Sequence, residues 1–165
     1  MLAALLGGCA SDPEPMRTGV SSNSRYHAPD PTRPTLNPSN PAIVGESAWQ
    51  SEATKWIGVP YKVGGNGREG MDVLGLIRRM YQNVARIDLK SGLEELSRTG
   101  FAIPRDQLRP GDIVFLGEDK KISSAGIYIG ENRFVHAHHT LGVVYAQLSD
   151  PQFSEKYRTA RRILR

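Results

Sequence analysis

The sequence predicts an α+β domain with an antiparallel sheet, preceded by a segment that does not fold. Three observations carry this. Helical periodicity is confined to residues 46–99, and short β-rich runs separated by Gly, Asn, Asp and Pro follow from residue 112. Helices first and strands afterwards argue segregated layers rather than alternating βαβ units. Third, seven of the eleven prolines fall at or before residue 41: Pro13, Pro15, Pro29, Pro31, Pro34, Pro38 and Pro41.

Taken in chain order, residues 10–41 hold few large apolar side chains and much Ser, Thr and Asn. Nothing there offsets the entropy of ordering the backbone, so the segment reads as a tether. Thirty-two residues of this kind span roughly 30 Å as a coil and up to about 100 Å if Pro-rich and extended. The globular domain is expected over 42–165. Its first helix is expected at 46–57, where Trp49, Ala53, Trp56 and Ile57 recur at helical spacing and Ser47 and Gln50 have capping-box spacing. Gly58-Val59-Pro60 stops it. The second, over 72–84, has Asp72 as N-cap and one stripe of Val73, Leu76, Ile77, Met80 and Val84. A third, over 91–99, starts at Ser91 with Glu94 and stops at Gly100. Strands are expected at 112–117, 123–129, 132–137, 142–147 and 160–164.

Composition excludes several functions. No apolar run approaches the roughly 18 residues of a membrane-spanning helix. A single cysteine, Cys9, rules out an intramolecular disulfide and a four-thiolate zinc site. The formal charge of +4 lies entirely on residues 42–165, because residues 1–41 carry three basic and three acidic groups. That charge suits an anionic partner such as acidic lipid or cell-wall polymer. The basic C-terminus, Arg158, Arg161, Arg162 and Arg165, reads as a solvated edge.

The residues then carry two resemblances. Leu6-Gly7-Gly8-Cys9 resembles the lipobox of a bacterial lipoprotein signal peptide, with residues 1–9 its remnant and Cys9 the lipidated residue. No Lys or Arg precedes Cys9, as a signal peptide would want. Further on, five blocks appear in order: Gly58-Val59-Pro60-Tyr61-Lys62-Val63-Gly64-Gly65, Met71-Asp72-Val73-Leu74-Gly75-Leu76, Leu108-Arg109-Pro110-Gly111-Asp112-Ile113-Val114-Phe115, Ala125-Gly126-Ile127-Tyr128-Ile129-Gly130 and Phe134-Val135-His136-Ala137. Together they resemble the NlpC/P60 family of papain-like bacterial cell-wall endopeptidases. The resemblance implies a helix packed on a curved antiparallel sheet, and murein stem peptide as the ancestral substrate.

It also implies a site. The family pattern at the helix start is Asp-Cys-Ser-Gly, where the helix dipole lowers the pKa of a thiol nucleophile. This chain has Asp72-Val73-Leu74-Gly75. The position of the family's base is Ser124, and the orienting position keeps its polar group as His136. Loss of a nucleophile alone costs about 10⁶-fold in a triad enzyme. The chain is therefore expected to be no enzyme: a pseudoenzyme with no intact catalytic set and a binding cleft of Tyr61, Asp72, Val73, Leu74, Ser124 and His136. His136, His138 and His139 crowd one stretch, but no third ligand is evident, so neither metal nor cofactor is expected. The reading is a lipid-anchored envelope protein, at the outer membrane facing the periplasm. It would be a scaffold in an envelope or secretion assembly, or a regulator of peptidoglycan hydrolases, with an envelope protein as partner and no nucleic acid. The alternatives are a murein endopeptidase with a relocated nucleophile, Ser123 or Ser124 meeting His136, and a non-catalytic peptidoglycan-binding module.

Overall fold

A computed structural model describes residues 45–119 and 121–164. The expected lipidated Cys9, the tether 10–41, the start of the domain at 42 and Arg165 lie outside them. Helix α1 (Glu46–Trp56) is followed by a small hairpin, β1 (Asn66–Gly67) and β2 (Gly70–Met71), then α2 (Val73–Ala85) and the single turn α3 (Leu93–Leu96). Then come β3 (Phe101–Ala102), a 3-10 turn (Arg105–Gln107), β4 (Ile113–Glu118), β5 (Lys121–Gly130), β6 (Arg133–His138), β7 (Gly142–Gln147), the short α4 (Pro151–Ser154) and β8 (Tyr157–Arg162). Six strands form one antiparallel sheet in the order β3-β8-β4-β5-β6-β7. No described helix is long and apolar enough to cross a membrane.

The sheet is covered on both faces, which is why β4 is buried at five consecutive positions. Period-two alternation sends Ile113, Phe115, Ala125, Ile127, Ile129 and Val135 toward the helices, against Trp49, Leu76, Ile77, Met80 and Tyr81. Val114, Leu116 and Phe134 point the other way, to Leu148, Phe153 and Tyr157. Between β5 and β6, Glu131 and Asn132 both have positive φ (53° and 59°). Such a turn matches strand twist and fixes the register, Gly126 opposite His136.

The two expected capping boxes do not form. Gly45 and Gly92 are the N-caps, with no side-chain cap bond. The Gln50 amide instead donates to the Ile129 carbonyl (2.9 Å), and Glu94 pairs with Arg98 (2.7 Å). With no cap, the third helix shrinks from 91–99 to a turn. Gly58, at φ +83°, ends α1 in a conformation that side-chain-bearing residues avoid.

Two buried carboxylates join the layers. Glu52 accepts from Trp56 Nε1 (2.8 Å), Asn83 Nδ2 (2.7 Å) and Lys55 Nζ (2.9 Å). Burial pushes its carboxyl up, but these bonds and the Lys55 charge outweigh that and hold it below the usual carboxylate range. Asp112 accepts a two-pronged bond from Arg162, Nε at 2.8 Å and Nη2 at 2.7 Å, and a third bond from the Arg109 amide (2.8 Å). Its carboxylate holds the Arg162 pKa above the usual guanidinium value. Arg161 and Arg162 thus depart from the expected solvated edge, whereas Arg158 is exposed. Arg162 is locked in this pair, Arg161 Nε donates to the Ser97 carbonyl (2.6 Å), and Arg158 donates to the carbonyls of Glu155 and Tyr157.

Candidate active site

The start of α2 is built by its own N-cap. Asp72 accepts from the Gly75 amide (2.6 Å) through one oxygen and from the Gly64 amide (2.8 Å) through the other. Its own amide donates to the Gly65 carbonyl (3.0 Å). The glycine loop is thereby tied across the helix start, and Gly75 is required there. A Cβ at 75 would lie 2.0 Å from the Gly65 oxygen. This fastening sets Val73 at the first turn of a thirteen-residue helix, where free amides and the dipole favour negative charge.

Val73 forms one wall of a cleft of about 320 Å³. Tyr61 enters it from the loop after α1, Ser123 and Ser124 from β5, and His136 and His138 from β6. The cleft thus unites Tyr61, Val73, Ser124 and His136, residues 12 to 75 positions apart in the chain. Ser124 and Gly126 share one face of β5, His136 and His138 one face of β6, and Gly126 is paired with His136. Ser124 and His136 therefore sit diagonally across adjacent strands.

Asp72 and Leu74, also expected in the cleft, are placed elsewhere. Both line a separate depression of about 240 Å³ with Asn66, Arg78 and Arg79. Successive helical residues point about 100° apart, so the step from Val73 to Leu74 leaves the cleft. Leu74 thus does not replace a polar group on the cleft floor.

His136 is 4% exposed, with its ring 5.1 Å from that of Phe134 and 5.2 Å from that of Phe153. Burial, then the neighbouring His138, lowers its pKa to about 4, so the ring is neutral near pH 7. It can accept a proton there, as a weak base. His138 is held differently: its Nδ1 accepts from the amides of Thr140 and Leu141, both at 3.2 Å. No cluster of three metal-ligating side chains occurs among the described residues.

Gln152, Phe153 and Lys156 also line the cleft and escape sequence reasoning. They reach the cleft because α4 packs its Phe153 against Phe134 (5.1 Å). The one available signal was Asp150-Pro151, a helix start with proline at its first position.

Comparison with known proteins bears on the same elements. The model of the NlpC/P60 family matches residues 58–162, from the loop before the cleft to the last strand. The chain belongs to the NlpC/P60 family. Among its relatives is the Escherichia coli protein named murein DD-endopeptidase MepS/murein LD-carboxypeptidase. It is 28% identical over 170 residues, covering 99% of this chain and 88% of that protein. A crystal structure of an NlpC/P60 family protein from Bacillus cereus superposes with a TM-score of 0.68 at 23% identity, over 76% of this chain; the chain spans 43% of that protein. RipD of Mycobacterium tuberculosis, described as a non-catalytic NlpC/p60 domain protein adapted to peptidoglycan binding, gives a TM-score of 0.60 at 20% identity, over 72% of this chain and 97% of that one.

Family membership bears out the expected fold and the NlpC/P60 resemblance. It also corrects one expectation. A chain whose full-length relative is named an endopeptidase and carboxypeptidase falls in a catalytic family, so the assignment as no enzyme does not stand. That assignment rested on the loss of two family positions, Val73 for the nucleophile and Ser124 for the base; Ser123, Ser124 and His136 nevertheless all line the cleft.

Proposed function

We propose that this NlpC/P60 protein acts on peptidoglycan at the bacterial envelope, with the cleft beside α2 engaging murein stem peptides. One observation carries the reading: apolar and polar side chains of six separate chain segments converge on a cavity of about 320 Å³ at the family's helix start. A concave site with a few convergent polar groups is what peptide recognition needs. Titration with stem tetrapeptide, followed by calorimetry, tests it. Saturable binding that Tyr61→Ala or Val73→Trp weakens at least about tenfold is the expected result.

A second reading, murein hydrolysis, is favoured by Ser124 and His136 lining the same cavity. Val73 has no lone pair, so a nucleophile in this cleft comes from a hydroxyl or from water. Ser124 Oγ would add to the peptide carbonyl carbon as its proton passes to His136. The amide nitrogen then leaves with that proton, and water cleaves the resulting ester. Release of new muropeptide ends by the wild-type protein, lost in Ser124→Ala, supports this reading; binding without release supports recognition alone.

The proposal includes a lipid anchor at Cys9, with residues 10–41 as the tether and the outer membrane, facing the periplasm, as its place. Within that location the cleft also serves a scaffold or regulatory role beside other envelope proteins. Labelled acyl chain enters the wild-type protein in its host and is absent from Cys9→Ala. More than one chain is expected, since a single one binds membranes only marginally.

A further inference from the structure

The polar groups of the cleft are unequal in kind. Beside Ser123 and Ser124 it is lined by His138, His139, Gln152 and Lys156, and none of the described residues lining it is Asp or Glu. Hydroxyls and the amide can donate as well as accept, and the ammonium can only donate. His138 is fixed in one form. Its Nδ1 receives two backbone amides, so the ring proton resides on Nε2. The ring is steadied by stacking on His139, centroids 4.5 Å apart, and by an edge contact with His136 at 5.9 Å. Lys156 is half exposed and pairs with Glu118 (2.9 Å) at the surface, where water weakens the pair, so an anion in the cleft competes with Glu118 for the ammonium. A site with several donors and a cation, and no Asp or Glu among its described lining residues, is complementary to an acceptor-only anion.

We infer that the cleft selects peptides by a free carboxylate, bound by His138 Nε2–H and Lys156 Nζ. This rests on the stem-peptide reading and narrows it: the occupant is a peptide with an ionised carboxyl end, not an internal stretch of capped chain. His138 and Lys156 then determine specificity, while Val73 and Tyr61 supply apolar contact.

The test compares stem tetrapeptide bearing a free C-terminal carboxylate with the same peptide ending in a carboxamide, by calorimetry on the full chain. The free acid should bind at least about tenfold tighter, the scale of a hydrogen bond to a charged group. Lys156→Met and His138→Asn, whose Oδ1 keeps an acceptor for the Thr140 and Leu141 amides but which lacks the Nε2 donor, should each weaken the acid more than the amide. Raising salt from 50 to 500 mM should narrow the gap. Equal affinity for acid and amide overturns the carboxylate inference and leaves the stem-peptide reading standing. Failure of both peptides to bind a chain whose circular dichroism and melting are normal overturns both.

Discussion

Changing Arg162 to methionine destabilises the domain by about 3 kcal/mol and lowers its melting temperature by on the order of 10 °C. The reason is what remains. Asp112 is 1% exposed, and two of its three hydrogen bonds come from the Arg162 guanidinium. Without that partner a carboxylate is left in the protein interior with the Arg109 amide alone. Uncompensated buried charge is costly, whereas the intact pair is close to neutral in its net effect. The figure is at the low end of the usual range because the Arg162 side chain keeps 23% of its exposure. The pair also sits at a junction. Gly111, next to Asp112, accepts from the buried Tyr81 hydroxyl of α2, whose pKa burial pushes well above the usual phenol value. Urea melts of Arg162→Met, Asp112→Asn and the double variant measure the coupling. The double variant should lose less than the sum of the singles. A single-variant loss under 1 kcal/mol would show that the pair is not a structural element of the domain.

The second large effect concerns the helix start. Val73→Cys, made with Cys9→Ser so that one thiol is present, places a thiol at the first turn of α2. Amides and dipole there lower a thiol pKa from about 8.5. Adding Ser124→His puts an imidazole on β5 where the cleft already joins Ser124 to Val73. Alkylation by iodoacetamide at pH 7 should then run about tenfold or more faster than with Val73→Cys alone, since the thiolate is the reacting form. Identical rates would mean that position 124 does not face the helix start.

Much of the fold was legible because its signals are local. The stripe on α2 and its Asp72 cap, the glycine loop and the short β-rich runs of β5 and β6 bounded by turn residues each state their structure within a dozen residues. The capping boxes misled, because the spacing of Ser47 and Gln50 says nothing of Ile129, the more distant partner that takes the Gln50 amide. Arg162 was misread for the same reason. A basic strand end is indistinguishable from a solvated one until Asp112 is brought opposite it. In the site, Val73, Ser124 and His136 were placed by a motif. Lys156 and Gln152 belong to no motif, and only the return of the chain over Phe134 brings them in. Leu74 shows the limit of motif reading, since one helical step separates a cleft residue from one outside it.

The most direct measurement is a ¹⁵N-resolved NMR titration of the isotope-labelled full chain with murein stem tetrapeptide. The account predicts saturable shifts concentrated at Tyr61, Val73, Ser123, Ser124, His136 and His138, with the depression around Arg78 and Arg79 unmoved. Shifts absent at saturating peptide, or centred on that second depression, would contradict it.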